Sequence, residues 1–343
     1  MNINEIAKLA GVSRATVSRF LNDGYVSDDK KEKIRKVIEE TGYKPSAQAQ
    51  TLRTKRTNLI GVIIPKINSA SISRMVAGIS VVLSRAGYQL LLANTDNDEK
   101  EEVKYLRVLA EKQVDGIILI GTVFTAAHKK VLKELAVPVV ILGQSLAGYS
   151  CVYHDDYHAA YDLTTLLLAH GRHPACIGVL ERDEAAGKRR KDGFLDAVRD
   201  SGAGTDRVPC AEGKFSMDSG YEQTKLLLSA NPEIDSIFCA TDSIAIGAVA
   251  YLREIGRRVP EEIQVAGIGD SETARVCVPR LTTVHYYYKT SGEEAARMLV
   301  NMLSAGGQIR REVKMGYEIV YGKSTIVQSK CCLLYTSDAA DDK

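Results

Sequence analysis

The run from Asn4 to Asn22, Asn-Glu-Ile-Ala-Lys-Leu-Ala-Gly-Val-Ser-Arg-Ala-Thr-Val-Ser-Arg-Phe-Leu-Asn, leaves few folds open, because it spells a helix, a tight turn and a second helix. Ile6, Leu9 and Ala10 recur at i, i+3, i+4, and so do Val17, Phe20 and Leu21, which gives each helix one apolar face toward a shared small core. Gly11 admits the positive φ of a sharp turn, and Ser13 is placed to cap the second helix by accepting a backbone N–H. With its apolar face turned inward, the second helix presents Arg14, Ala15, Thr16, Ser18 and Arg19 outward, a small, polar and cationic set suited to base edges and phosphates in a DNA major groove. Taken alone, these residues fit a solvated helical hairpin with ordinary surface arginines equally well.

A third helix is predicted from about Asp28 to Thr41, with Ser27 as N-cap, two acids in its first turn, Ile34, Val37 and Ile38 facing the same core, and Gly42 as its stop. Three short helices make a DNA-binding headpiece. Charge supports that assignment: residues 1–58 carry 12 Lys and Arg against 7 Asp and Glu, a net of +5 in a chain whose total is +2, so the remainder is net −3. Positive charge gathered in one segment is the footprint of a polyanion partner.

Through Ile6-Ala-Lys-Leu-Ala-Gly-Val-Ser-Arg-Ala-Thr-Val-Ser-Arg19, Gly42-Tyr-Lys-Pro45 and Leu59-Ile-Gly-Val62, the chain resembles the lactose-repressor/galactose-repressor (LacI/GalR) family of bacterial transcription regulators from about residue 2 to residue 329. The resemblance implies a headpiece over 1–45, a hinge over 46–57 and a two-lobed, periplasmic-binding-protein-like core over 58–329, with an N-lobe of about 58–155 and 286–314 and a C-lobe of about 156–285 and 315–329. It also implies that Arg14, Ala15 and Arg19 dominate operator choice. In the hinge it implies that Leu52 wedges between minor-groove base steps, with Arg53, Lys55 and Arg56 near phosphates. By composition alone the hinge, a stretch of helix formers with almost no apolar face, reads better as a plain basic linker with one incidental leucine, and the resemblance reverses that preference. Ser46 and Gln50 depart from the Asn and Arg that the family usually places there.

From Asn58 onward, apolar runs of strand length (Leu59–Ile64, Tyr88–Ala93, Gly116–Ile120, Val137–Leu142, Ala175–Leu180, Ser236–Ala240 and Ile263–Ile268) alternate with segments of helical length such as Ile72–Ala86, Glu99–Lys112, Tyr157–His170, Ser219–Ala230 and Ser243–Ile255. Continuous apolar strands separated by helices predict an α/β core of parallel sheets covered on both faces. Its length favours two lobes over one.

Ligands of open α/β sheets sit beyond the carboxyl ends of the strands, so effector-binding candidates must follow strands. Asn68, Ser69, Ser71, Gln144, Thr241, Asp242 and Asp270 follow strands, and Arg190, ahead of Gly193-Phe194, and Phe215, in Glu212-Gly-Lys-Phe215, are taken as candidates beside them. Polar groups with one aromatic ring form the inventory that holds a sugar or sugar phosphate. Each has a plainer alternative: Asp242 as a helix cap, Phe215 as core, Arg190 as one of several solvated helix cations. By resemblance Arg190, in Arg190-Lys-Asp-Gly-Phe194, grips the effector, and its removal is expected to leave the ligand-free protein intact. By the same comparison Gly269 occupies the usual effector aspartate position and Asp270 lies one place later.

Gly-rich phosphate fingerprints, zinc-spaced Cys/His clusters and a nucleophile triad are missing, so no catalytic residue, metal or cofactor is expected. The core cysteines, scattered singly and mostly in apolar strands, read as reduced thiols of a cytoplasmic protein. No signal peptide or membrane-spanning run is found. The final strand is expected at Thr325–Val327. The aperiodic tail 331–343 reads as non-native, and without leucine heptads a homodimer is expected rather than a tetramer. Expected partners are operator DNA and a small effector, with a repressor of carbohydrate-utilisation genes as the function. The rival readings are a transport system's sugar-binding protein and an enzyme.

Overall fold

The computed structural model describes residues 1–43, 56–112, 114–202, 208–305 and 309–326, so Leu52, Arg53, Lys55 and the tail 331–343 fall outside the described residues. The chain divides into two units, Met1–Asn58 and Leu59–Lys343. In the first, α1 (Ile3–Leu9), α2 (Arg14–Phe20) and α3 (Asp28–Thr41) pack around Ile6, Ala7, Ala10, Val17 and Ile34. Asn2 caps α1 by accepting the Asn4 and Glu5 amides, and Glu5 returns a bond to the Asn2 amide. Gly11 turns the chain at φ +63°, and Ser13 Oγ accepts from the Thr16 amide at 3.1 Å. One expectation fails here. Leu9 is exposed and Ala7 joins Ile6 and Ala10 on the inward face of α1 in its place. Ser27 stands at the N-cap of α3 and Asp28 and Asp29 fill its first turn as expected, although the Ser27 side chain makes no bond to the helix.

The second unit holds two six-stranded sheets among the described residues. The first runs in the order β11-β5-β4-β3-β1-β2, built from β1 (Leu59–Ile64), β2 (Gln89–Asn94), β3 (Gly116–Ile120), β4 (Val139–Leu142), β5 (Ser150–His154) and β11 (Glu312–Met315). Its pairs are all parallel. Helices α4 (Ala70–Arg85), α5 (Glu99–Glu111), α6 (Ala126–Glu134) and α12 (Tyr288–Ala305) accompany it. The second sheet, β12-β10-β9-β8-β6-β7, comprises β6 (Pro174–Gly178), β7 (Cys210–Glu212), β8 (Ser236–Cys239), β9 (Gln264–Ile268), β10 (Thr282–Tyr286) and β12 (Tyr317–Val320). With it go α7 (Asp156–Leu168), α8 (Arg190–Asp200), α9 (Met217–Ala230), α10 (Asp242–Glu254) and the short α11 (Glu272–Val276).

Strand β12 departs from the all-parallel expectation by pairing antiparallel with β10. Only Gly316 separates it from β11, so the chain leaves the first sheet at that sheet's carboxyl edge and enters the second at the facing edge, which reverses its direction. The expected strand at Thr325–Val327 is absent from its described part: Thr325 lies in a bend, its hydroxyl 2.7 Å from Thr282 Oγ1, and β12 closes the sheet instead. Nor are the cysteines all isolated. Cys176 and Cys210 sit opposite each other on β6 and β7, where a hydrogen bond from Cys176 holds the Cys210 thiol below its ordinary value.

Where α4 crosses α12, glycines allow backbone contact. A Cβ on Gly78 would lie 2.0 Å from Lys289 O, and one on Gly292 2.0 Å from Met75 O. That approach lets Met75, Ile79 and Leu83 of α4 pack with Ala295, Ala296 and Leu299 of α12 over the first sheet.

Candidate DNA-reading helix and effector cavity

On α2, Arg14, Ala15 and Arg19 are exposed, while Thr16 and Ser18 are half-buried. Thr16 is further occupied, its hydroxyl 2.9 Å from Ser13 Oγ, and the Ser18 carbonyl accepts from Asn22 Nδ2. The outward display therefore narrows to Arg14, Ala15 and Arg19.

In the second unit a cavity of about 390 Å³ opens where carboxyl ends of strands from both sheets converge. Asn68, Ser69 and Ser71 line it after β1, Gln144 after β4, Phe215 after β7, and Thr241 and Asp242 after β8, with Arg190 from the start of α8. The hydroxyls of Ser69 and Ser71 stand 3.0 Å apart at its edge. Gln144 is clamped by donating from Nε2 to the carbonyls of Gly121 and Thr122, both at 2.7 Å. Phe215 is 42% exposed, so it is a ring offered to the cavity rather than a core residue.

Asp270 does not line the cavity. Its backbone is left-handed at φ +44°, and the carboxylate turns to Arg275 (3.0 and 2.6 Å) and His285 Nδ1 (2.8 Å). Asp242 lines the cavity, but its oxygens accept from Thr283 Oγ1 and from the Ser271 amide at 2.7 Å. It thus pins the turn after β9, and burial pushes its carboxyl up.

Arg190 is buried. Its Nε donates to Asp156 Oδ1 at 2.7 Å, its Nη1 donates to Ala240 O at 2.6 Å, and the guanidinium lies 5.5 Å from the Tyr286 ring centroid. Burial opposes its charge, but the Asp156 carboxylate, with Tyr286 and Tyr288, outweighs that and holds it above the ordinary arginine value. An arginine so engaged is a structural member as well as a cavity wall, which overturns the expectation that its removal leaves the ligand-free protein intact.

Sequence reasoning missed several wall residues: Arg74, His154, Asp156 and Asp183. Arg74, from α4, donates to Gly269 O (2.6 Å) and Asp270 O (3.4 Å), bridging elements of the two sheets. Asp183 caps the π-helical turn Glu184–Arg189 through the Ala185 and Ala186 amides, and burial raises its carboxyl to about 6. The Asp-Glu-Ala-Ala lettering of a helix start was the available signal.

Because the folded state raises the Asp183 pKa from 3.8 to about 6, it binds more protons than the unfolded chain between those values. Stability from this group therefore falls as pH rises through that window, and the loss is complete above it. Asp183→Asn, which keeps the capping oxygen, is expected to raise stability at pH 7.5 by on the order of 2–3 kcal/mol and to change it little at pH 4. Denaturant melts at both pH values check this, and identical gains at the two would remove the carboxyl from the account.

Residues 2–46 match the bacterial regulatory proteins of the lacI family, and residues 164–325 match a periplasmic binding protein-like domain. The sucrose operon repressor of Staphylococcus xylosus is 34% identical over 303 residues, 88% of this chain and 93% of the relative. The chain belongs to the LacI family. As a LacI-family protein it is a DNA-binding transcription regulator, and the regulatory match, which includes the headpiece, removes the reading as a transport system's binding protein. A complex of the regulator CelR with cellobiose superposes at TM-score 0.73 with 29% identity, covering 94% of this chain and 99% of that one. The lac repressor dimer bound to operator shares the fold at TM-score 0.85 and 22% identity, over 95% and 99% of the two chains. No helix among the described residues is long and apolar enough to cross a membrane.

Proposed function

We propose that this LacI-family regulator is a homodimeric repressor of carbohydrate-utilisation genes, whose operator affinity is set by a small sugar in the cavity at the strand ends. The observation that carries the reading is the lining itself: hydroxyl and amide groups of Asn68, Ser69, Ser71 and Gln144 from one sheet face Arg190, Thr241 and the Phe215 ring from the other. Polar groups fix sugar hydroxyls and a ring covers a pyranose face. Occupants touching both sheets favour one lobe arrangement over another, and a ligand shifts an equilibrium only by such a difference. The sugar operons and sugars named for the relatives agree with this occupant. The protein acts in the cytoplasm by binding, without a catalytic step.

On the DNA side Ser13 caps α2, Thr16 and Ser18 frame it, and Arg14, Ala15 and Arg19 read the operator; Leu52, Arg53 and Lys55 act from the hinge. Arg14→Ala is expected to weaken cognate operator binding by about 1–3 kcal/mol while changing non-specific binding far less, the signature of a bidentate base contact. Fluorescence anisotropy on operator and random duplexes at fixed salt checks it, and equal losses would assign Arg14 to a phosphate. The overall reading is tested by operator titration of the full chain with and without a panel of sugars. A panel that changes neither operator affinity nor thermal midpoint would defeat it.

A further inference from the structure

Beyond a sugar in general, we propose that the effector is an uncharged polyhydroxylated molecule read in part by His154, and that the cavity turns phosphorylated ligands away. This rests on the sugar reading and narrows its chemistry. The charged groups lining the cavity balance: Lys66, Arg74 and Arg190 against Asp156, Asp183 and Asp242. Most are already engaged within the protein. Arg190 holds Asp156, Asp242 holds Thr283 and the Ser271 amide, and Arg74 reaches two backbone carbonyls. The amino end of a helix is where a phosphate is usually received. Here the amino end of α10 begins with Asp242 itself, and the turn before α8 is capped by Asp183. Those two positions carry the protein's own anions, so a phosphate there meets carboxylates where it needs donors, whereas the amino end of α4, Ser69 to Ser71 beside Lys66, lines the cavity without an acid in its first turn.

His154 supplies the complementary observation. It ends β5, is 5% exposed, stacks on Tyr286 with centroids 4.6 Å apart, and meets the edge of Tyr288 at 5.0 Å. It lines the cavity, and its Nε2 is buried with no hydrogen-bond partner among the described residues. Burial lowers its pKa to about 4, so the ring is neutral at physiological pH. A neutral imidazole offers one donor and one acceptor, as a sugar hydroxyl does, whereas a phosphate dianion only accepts. Buried polar atoms are ordinarily paired, and a ligand hydroxyl would complete this one.

The test is isothermal titration of the full chain with sucrose, cellobiose, glucose and ribose, and with glucose 6-phosphate and ribose 5-phosphate. At least one uncharged sugar is expected to bind, with the phosphorylated compounds about a hundredfold weaker or more. A sugar phosphate binding as tightly as the best uncharged sugar would overturn the inference while leaving the sugar reading in place; no binding by either class would overturn both. With the best uncharged sugar, affinity is expected to fall from wild type to His154→Gln, which keeps a neutral donor and acceptor, and further to His154→Phe, about tenfold below wild type with the ring stack retained. Equal affinity in all three would overturn the role of His154, with the thermal midpoint of each variant confirming that it is folded.

Discussion

Arg190→Ala is expected to destabilise the ligand-free protein by about 3–5 kcal/mol and to abolish the effector response as well, because it strands a buried carboxylate in addition to removing a cavity wall. Asp156 is 5% exposed and receives both Arg190 Nε and the Tyr286 hydroxyl. Without the guanidinium its charge is left with one neutral donor. The double variant Arg190→Ala with Asp156→Ala is expected to lose less than the two singles combined, since it removes both charges at once. Denaturant melts of the three variants, beside sugar titration, measure the effect. Strict additivity would mean that the pair contributes nothing as a pair, and a stable Arg190→Ala that still binds sugar would remove the residue from both roles.

Gly292→Val is the second large effect. The Cβ of any residue at 292 would stand 2.0 Å from Met75 O, a contact with rigid helix backbone rather than with a side chain that can swing aside. Helices α4 and α12 must therefore separate, opening the layer formed by Ile79, Leu83, Ala296 and Leu299. Overpacking of this kind costs about 1–3 kcal/mol and the separation adds to it, so a loss of about 3 kcal/mol or more is expected. The same substitution at Gly42, whose added Cβ meets nothing but whose φ is +61°, is expected to cost only the strain of that backbone. A loss at 292 no greater than at 42 would show that the helix crossing has slack.

What the sequence made legible follows a physical line. Strands β1, β3, β8 and β9 are continuous apolar runs buried along nearly their whole length, and they are where periodicity places them. The strands it passed over lack that signal. β7 and β11 are edge strands that alternate exposed and half-buried residues, and β10 is buried while spelled Thr-Thr-Val-His-Tyr. Missing β5 had a cost at the cavity, since His154 ends it and Asp156 follows. The rule that ligands lie beyond strand ends needs only the strand, and it drew Ser69, Gln144 and Thr241 to the cavity wall. It gives no backbone angle, and a left-handed φ at Asp270 was enough to carry that carboxylate to Arg275 and His285 instead. The buried partner that made Arg190 structural came from a residue 34 positions away.

The chain passes between its two sheets around Asp155, Tyr287 and Gly316, and the cavity residues His154, Asp156 and Tyr288 flank two of these passages. In a hinged body, points close to the axis travel little and points at the far lip travel a long way. The Arg190–Asp156 pair rides wholly on the second sheet's side, so opening leaves it intact. The Arg182–Glu99 ion pair at 3.1 Å and the reach of Arg74 to Gly269 span the gap and must part. Exposed ion pairs such as Arg182–Glu99 cost little to break. Opening about these passages would thus undo one cheap exposed ion pair together with the Arg74 bonds to backbone, while the buried Arg190–Asp156 pair kept its arrangement.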